Sequence, residues 1–164
     1  MLKDWNKVEQ PTAEEVDKRL ANAKNSLLQQ QIAMKEKKLP VIVLLEGWGA
    51  AGKGSVLGKL IKNIDPRFFK VAVMDEPTEE EKRKPFLYRH FVKIPEAGKF
   101  VFMDSGWMSE VTSQKLSGEL SEEEYKKRIE SIKRFERQLT DNGYLLLKFF
   151  FNIAVSYTHL TLPT

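Results

Sequence analysis

Residues Val41–Ser55 read VIVLLEGWGAAGKGS: five branched apolar residues and a glutamate, then glycines and alanines that lead to one lysine. An apolar run without alternation is the pattern of a strand buried on both faces, as in a parallel sheet. Four glycines, Gly47, Gly49, Gly52 and Gly54, fall within the eight residues that follow. Ordered glycine costs backbone entropy, so such a cluster marks a place where backbone comes close to something. GWGAAGK, from Gly47 to Lys53, has the G-x-x-x-x-G-K spacing of a phosphate-binding loop between a strand and a helix. Small residues let successive N–H groups converge on phosphate oxygens, the next helix presents its positive end, and Lys53 adds a point charge. A glycine-rich turn can also reflect tight packing alone, but here the lysine and the apolar strand are both in register. One position departs from the nucleotide-hydrolase pattern. Gly54 follows Lys53 where a magnesium-touching hydroxyl usually stands, and Ser55 comes one step later, so Ser55 substitutes or magnesium is held differently.

Outward from the loop, the chain alternates between two periods. Thr12 and Glu15 form a capping box, and Val16, Leu20, Ala23, Leu27 and Ile32 then recur at helical steps. This predicts a long amphipathic helix through Lys38, stopped by Pro40, so residues 1–39 form a helical segment ahead of a domain at 40–153. Val56, Leu60 and Ile64 give a helix after the loop, closed by Asp65 and Pro66. FKVAVM at 69–74, KFVFMD at 99–104 and YLLLKFFF at 144–151 read as further strands. Ser121 and Glu124 cap a helix carrying Tyr125, Ile129, Ile132, Phe135 and Leu139, which Asp141, Asn142 and Gly143 end. Strands alternating with helices imply an α/β fold, a parallel sheet with helices on both faces.

Phosphate sites of this kind have a second element, a carboxylate at the end of another strand, and KFVFMD places Asp104 there. It either holds magnesium or caps the helix that follows. Lys82, Arg83, Lys84, Arg89 and Lys93 put five cations in twelve residues, which is either a solvated face or a track for a long polyanion. Glu79, Glu80 and Glu81 before them are placed for a helix N-terminus. Trp48 and Trp107 suit base stacking or packing equally.

Composition narrows the classes. At 164 residues, 41% apolar and 30% charged, the chain suits one globular domain. It has no cysteine and two histidines, which exclude disulfides and thiolate metal sites and point to a reducing cytoplasm. The net charge of +4 and a pI near 9.2 mildly favour an anionic partner. No apolar run reaches the roughly 18–20 residues of a membrane span, and MLKDWNKVEQPTAEE lacks a signal-peptide core, so no membrane association is expected. Nucleic acid is not expected either, since the positive charge accompanies a phosphate loop without a stacking motif.

EGWGAAGKGS, EPTEEEKRKPFLYRHFVKIPEAGKFVFMDSGWMSEV and FERQLTDNGYLLLKFFF together resemble the polyphosphate kinase 2 family, most closely the amino-terminal half of its tandem-domain members, from about residue 10 to 153. The resemblance implies a three-layer, thymidylate-kinase-like P-loop fold whose C-terminal part and lid are incomplete here. It also implies Mg2+ and phosphoryl transfer between inorganic polyphosphate and an adenine nucleotide, AMP or ADP. Lys53 and Asp104 would be catalytic, with Asp104 at the metal. Gly47, Gly49, Gly52, Lys53, Gly54 and Ser55 would hold phosphate, and Lys82, Arg83 and Arg89 would lie toward the polyphosphate path. Two positions depart from the family's patterns. Its G-x-D-A-A-G-K-G has Asp where this chain has Gly49, and its D-R-S-W-Y has an arginine that is missing here, Gly106 being read in its place. Residues 154–164, ending in SYTHLTLPT, lack the charge of a lid helix and are expected to be a non-native tail. A homo-oligomer and a second, catalytic domain are expected of the whole protein. A non-catalytic polyphosphate-binding module and an ATP-dependent nucleotide kinase remain as alternatives.

Overall fold

The computed structural model describes residues 11–152. The 154–164 tail lies outside them. Four strands form one parallel sheet in the order β2-β3-β1-β4: β1 is Val41–Gly47, β2 Phe69–Val73, β3 Phe100–Asp104 and β4 Leu145–Phe151. Among these, β1 and β3 occupy the centre, and their unbroken apolar runs follow from having a layer on each side. Side chains alternate across the sheet. Ile42, Leu44, Val101 and Met103 enter one core, while Val41, Val43, Leu45, Phe100 and Phe102 enter the other.

The first core is covered by α5 (Trp107–Leu116) and α6 (Glu122–Asp141), through Trp107, Val111, Ile132, Phe135 and Leu139. The second is covered by α2 (Lys53–Ile61) through Leu57, and by Leu27 and Met34 of α1 (Ala13–Glu36). Helices on both faces make the three-layer α/β sandwich that the alternation implies. Two single-turn helices, α3 (Glu79–Lys82) and α4 (Tyr88–Phe91), lie in the connection from β2 to β3.

Several boundaries differ from the sequence reading. The first helix stops at Glu36 rather than Lys38. Lys38 takes a left-handed φ of 53°, with Lys38 N–H donating to Lys35 O at 3.1 Å and Leu39 N–H to Met34 O at 2.9 Å. That is a Schellman end with lysine in the usual glycine place, so the chain turns two residues before Pro40 acts. The helix after the loop ends at Ile61, where the Asn63 and Ile64 N–H groups switch to three-residue turns. The stripe on α1 is only half used: Leu27 and Met34 reach the core, whereas Val16, Leu20 and Ile32 stay exposed. The one-turn α3 carries a capping box that the sequence reading overlooked, Thr78 accepting from Glu81 N–H and Glu81 from Thr78 N–H.

Both capping boxes expected from the sequence are formed, at Thr12 and at Ser121. Replacing Ser121 with alanine leaves the Glu124 N–H without its side-chain acceptor at the start of α6, the helix that roofs the first core. Ser121→Ala is expected to lower unfolding stability by about 1 kcal/mol, read as a shift of urea midpoint at constant m.

Candidate functional site

β1 and β3 pair with Leu45 opposite Asp104, so both strands end at the same edge of the sheet. In open α/β sheets the crevice beyond the carboxyl ends of the strands is where ligands bind. Here that crevice is lined by Ala50, Ala51, Gly52, Lys53, Gly54, Ser55, Val73, Met74, Asp104 and Ser105. The structure therefore brings together Gly52, Lys53, Gly54, Ser55 and Asp104.

The loop has the backbone that its glycines foretell. Gly47 holds φ at 135°, and a Cβ there would run into the backbone of Phe151 in β4, so no other residue fits. Gly52 holds φ at 81° as the N-cap of α2 and offers no side-chain cap, which leaves the first turn of that helix to an anion. Lys53 reaches back across the loop, its Nζ donating to Gly47 O at 3.2 Å and Trp48 O at 3.0 Å. The ammonium is thus held over the loop mouth. Gly49 is exposed, and a Cβ there would meet nothing within 4 Å. The position has room for the family's aspartate.

Asp104 and the Ser55 hydroxyl are hard oxygen donors lining one cleft. Among the described residues no group of three or more His, Cys, Asp or Glu could hold a metal. This donor set fits Mg2+, which commonly binds through one or two carboxylates with phosphate oxygens and water completing its shell.

The basic cluster divides. Lys82 and Arg83 are exposed, and Lys82 pairs with Glu79 at 2.7 Å, a contact that raises its pKa. Arg89, expected on the polyphosphate path, is instead buried at 6% exposure. Its guanidinium donates to the carbonyl of Asp75 and lies 3.9 Å from Glu110. The reason is position: Arg89 sits on α4 where the turn faces α5, beside His90, whose Nε2 is 3.0 Å from Glu110. Arg89 thereby ties the β2–α3 loop, which begins with the cleft residue Met74, to α5. Trp107 is fully buried against His90 and Phe135, with Nε1 donating to Glu136 at 2.9 Å, so of its two readings packing holds. Trp48 stays exposed, edge-on to Phe150.

The missing arginine needs a correction. Counted residue by residue from Asp104 to Trp107, the arginine of D-R-S-W-Y falls on Ser105, and Gly106 falls on its serine. Ser105 holds a left-handed φ of 66°. Gly106 has a different role: a Cβ there would come 2.6 Å from Glu46 Oε1 and 3.1 Å from Leu44 Cδ2. Glu46 itself is a buried carboxylate that the sequence reading passed over, although it is the charged residue ending an otherwise apolar strand.

Comparison with known proteins gives the family. Residues 10–160 match the sequence profile of Polyphosphate kinase 2. The chain belongs to this family. It is 30% identical over 137 residues to the ADP-polyphosphate phosphotransferase 3 of Rhizobium meliloti, covering 84% of this chain and 48% of that protein. It is 33% identical over 117 residues to the polyphosphate:AMP phosphotransferase of Pseudomonas syringae, covering 71% of this chain and 24% of that protein. A crystal structure of a polyphosphate kinase 2 from Pseudomonas aeruginosa superposes with a TM-score of 0.85 at 28% identity, over 92% of this chain and 33% of the other. The chain spans about half of the first of these relatives and about a quarter of the second.

The two glycines therefore differ in what they tolerate. Gly106→Ala is expected to destabilise by about 1–3 kcal/mol, since the buried Glu46 and Leu44 must give way. Gly49→Ala, in open space, should stay within about 0.5 kcal/mol. Parallel urea titrations compare them.

Proposed function

We propose that the chain is part of a polyphosphate-dependent nucleotide phosphotransferase that uses Mg2+ and an adenine nucleotide. The observation that carries this reading is the shared cleft: a phosphate loop with Lys53 and the carboxylate of Asp104, side by side at the ends of paired strands. An oxygen of the AMP phosphate attacks the terminal phosphorus of polyphosphate, and the bridging P–O bond breaks. ADP forms, and polyphosphate leaves one unit shorter. Loop N–H groups and the α2 end hold phosphoryl oxygens in place, and Lys53 offsets the charge that gathers on them; positioning and electrostatics supply most of the catalysis in such transfers. Asp104, with Ser55 near it, would hold Mg2+, which when bound neutralises phosphate charge and polarises the transferred group. Lys82 and Arg83, both exposed, would steer the incoming polyanion.

A second reading has support of its own. The open space at Gly49 and the serine at position 105 leave this half without a carboxylate and a cation that the family's patterns supply. In that case this domain binds polyphosphate or pairs with a second, catalytic domain of a homo-oligomeric cytoplasmic protein.

Recovered in full length, the protein is expected to make ADP from AMP and polyphosphate with magnesium and no ATP. Dependence on ATP as donor would instead indicate a nucleotide kinase. Lys53→Ala should weaken tripolyphosphate binding by about 1.5–3 kcal/mol, roughly 10- to 150-fold, at matched ionic strength by calorimetry. If this half only binds, disabling the second domain abolishes turnover while Lys53→Ala leaves most of it; equal losses, with oligomeric state retained, assign catalysis to this half.

A further inference from the structure

Glu46 is 7% exposed at the end of β1. Its Oε2 accepts from the Ser109 backbone N–H at 3.1 Å and from the Ser109 hydroxyl. Its Oε1 is buried without a hydrogen-bond partner among the described residues. A carboxylate taken out of water is costly unless something compensates it. Here the compensation comes from the end of α5. Ser109 is the third residue of that helix, whose N-cap is Gly106 and carries no side-chain cap of its own. Glu46 supplies the missing acceptor from 63 residues away and places a negative charge at the positive helix end.

Only Ser105 and Gly106 separate Asp104, the last residue of β3, from the first residue of α5. That turn is pinned at two points to consecutive residues of β1. Ser105 N–H donates to Leu45 O at 3.1 Å, and Glu46 holds Ser109. Gly106 is the condition for the second pin, because the Glu46 carboxylate fills the space a side chain at position 106 would need. Asp104 stands at the head of the pinned turn, facing the cleft.

We propose that Glu46 is a positioning residue for Asp104: by capping α5 across the sheet it fixes the Ser105–Gly106 turn and with it the direction of the Asp104 carboxylate. The tie itself is independent of ligand, and its consequence for binding rests on the reading of Asp104 given above. The test therefore has two arms. In the first, amide hydrogen exchange is followed by NMR in the intact chain. Glu46→Ala is expected to speed exchange at Ser105 and Ser109 by about fivefold or more, with Ile42 and Val101 still protected. Glu46→Gln, whose amide oxygen can still accept from Ser109, should restore protection. Unchanged exchange at Ser105 in Glu46→Ala overturns the proposal. Should that variant lose protection at Ile42 and Val101 as well, Glu46→Asp, which withdraws the carboxylate by one methylene, is held to the same comparison.

In the second arm, tripolyphosphate with magnesium is titrated into the wild type, Glu46→Ala, Asp104→Asn and the double variant. Residues that orient a metal-holding group typically change affinity by about 10- to 100-fold, and a loss in that range is expected for Glu46→Ala. The double variant should bind no more weakly than Asp104→Asn alone, because both changes remove the same contact. Losses that multiply independently overturn the proposal. If Asp104→Asn has no effect, the assignment of Asp104 fails, and the exchange measurement still decides whether Glu46 fixes the turn.

Discussion

The in-register pairing of β1 with β3 is the constraint on which the rest of the molecule depends. It sets Leu45 against Asp104, so the phosphate loop and the Asp104 turn leave the sheet at one level. Both strands are buried on both faces, and a slip of one residue would exchange every side chain between the two cores. Phe100 and Phe102, stacked with ring centroids 6.0 Å apart in the core under α1 and α2, would then have to replace Val101 and Met103 beneath α5 and α6. Packing on two sides therefore holds the register that keeps the two halves of the site together.

At that edge two helix ends point the same way and are treated in opposite fashion. The first turn of α2 follows a glycine N-cap with a lysine and meets no carboxylate from its own cap, which suits a phosphate. The first turn of α5 also follows a glycine, yet Glu46 from β1 already fills it. The macrodipole is the same in both cases. What differs is whether a carboxylate from the neighbouring strand reaches the first turn, and this decides that one end can face a ligand while the other serves the scaffold.

The first turn of α5 is tied on three sides. Ser109 meets β1, Trp107 meets Glu136 of α6, and Glu110 meets His90 and Arg89 of α4. Arg89 passes the tie on to the carbonyl of Asp75, near the cleft residue Met74. A guanidinium suits this place because its planar fork can serve a carbonyl and a carboxylate at once without losing its charge. The basic cluster thus contributes one cation to the scaffold and leaves Lys82 and Arg83 at the surface.

Period and composition in the sequence were enough to determine the strands, the two long capped helices and the glycine-rich loop, because these rest on local geometry: Thr12 with Glu15, Ser121 with Glu124, and glycines where backbone must turn or approach closely. Asp104 was legible for the same reason, as the polar stop of an apolar strand. Distant contacts were not legible. A run of cations does not reveal that Arg89 turns inward, since only the docking of α4 on α5 gives it Asp75 and Glu110. The α1 stripe does not reveal that Val16 and Leu20 lie beyond the core it packs on. Nor does EGWGAAGKGS show that its first residue caps a helix 63 positions later, or that Gly106 is glycine because that carboxylate lies against it. Those are choices of packing, where two segments far apart in the chain compete for one volume, and tertiary structure alone settled them.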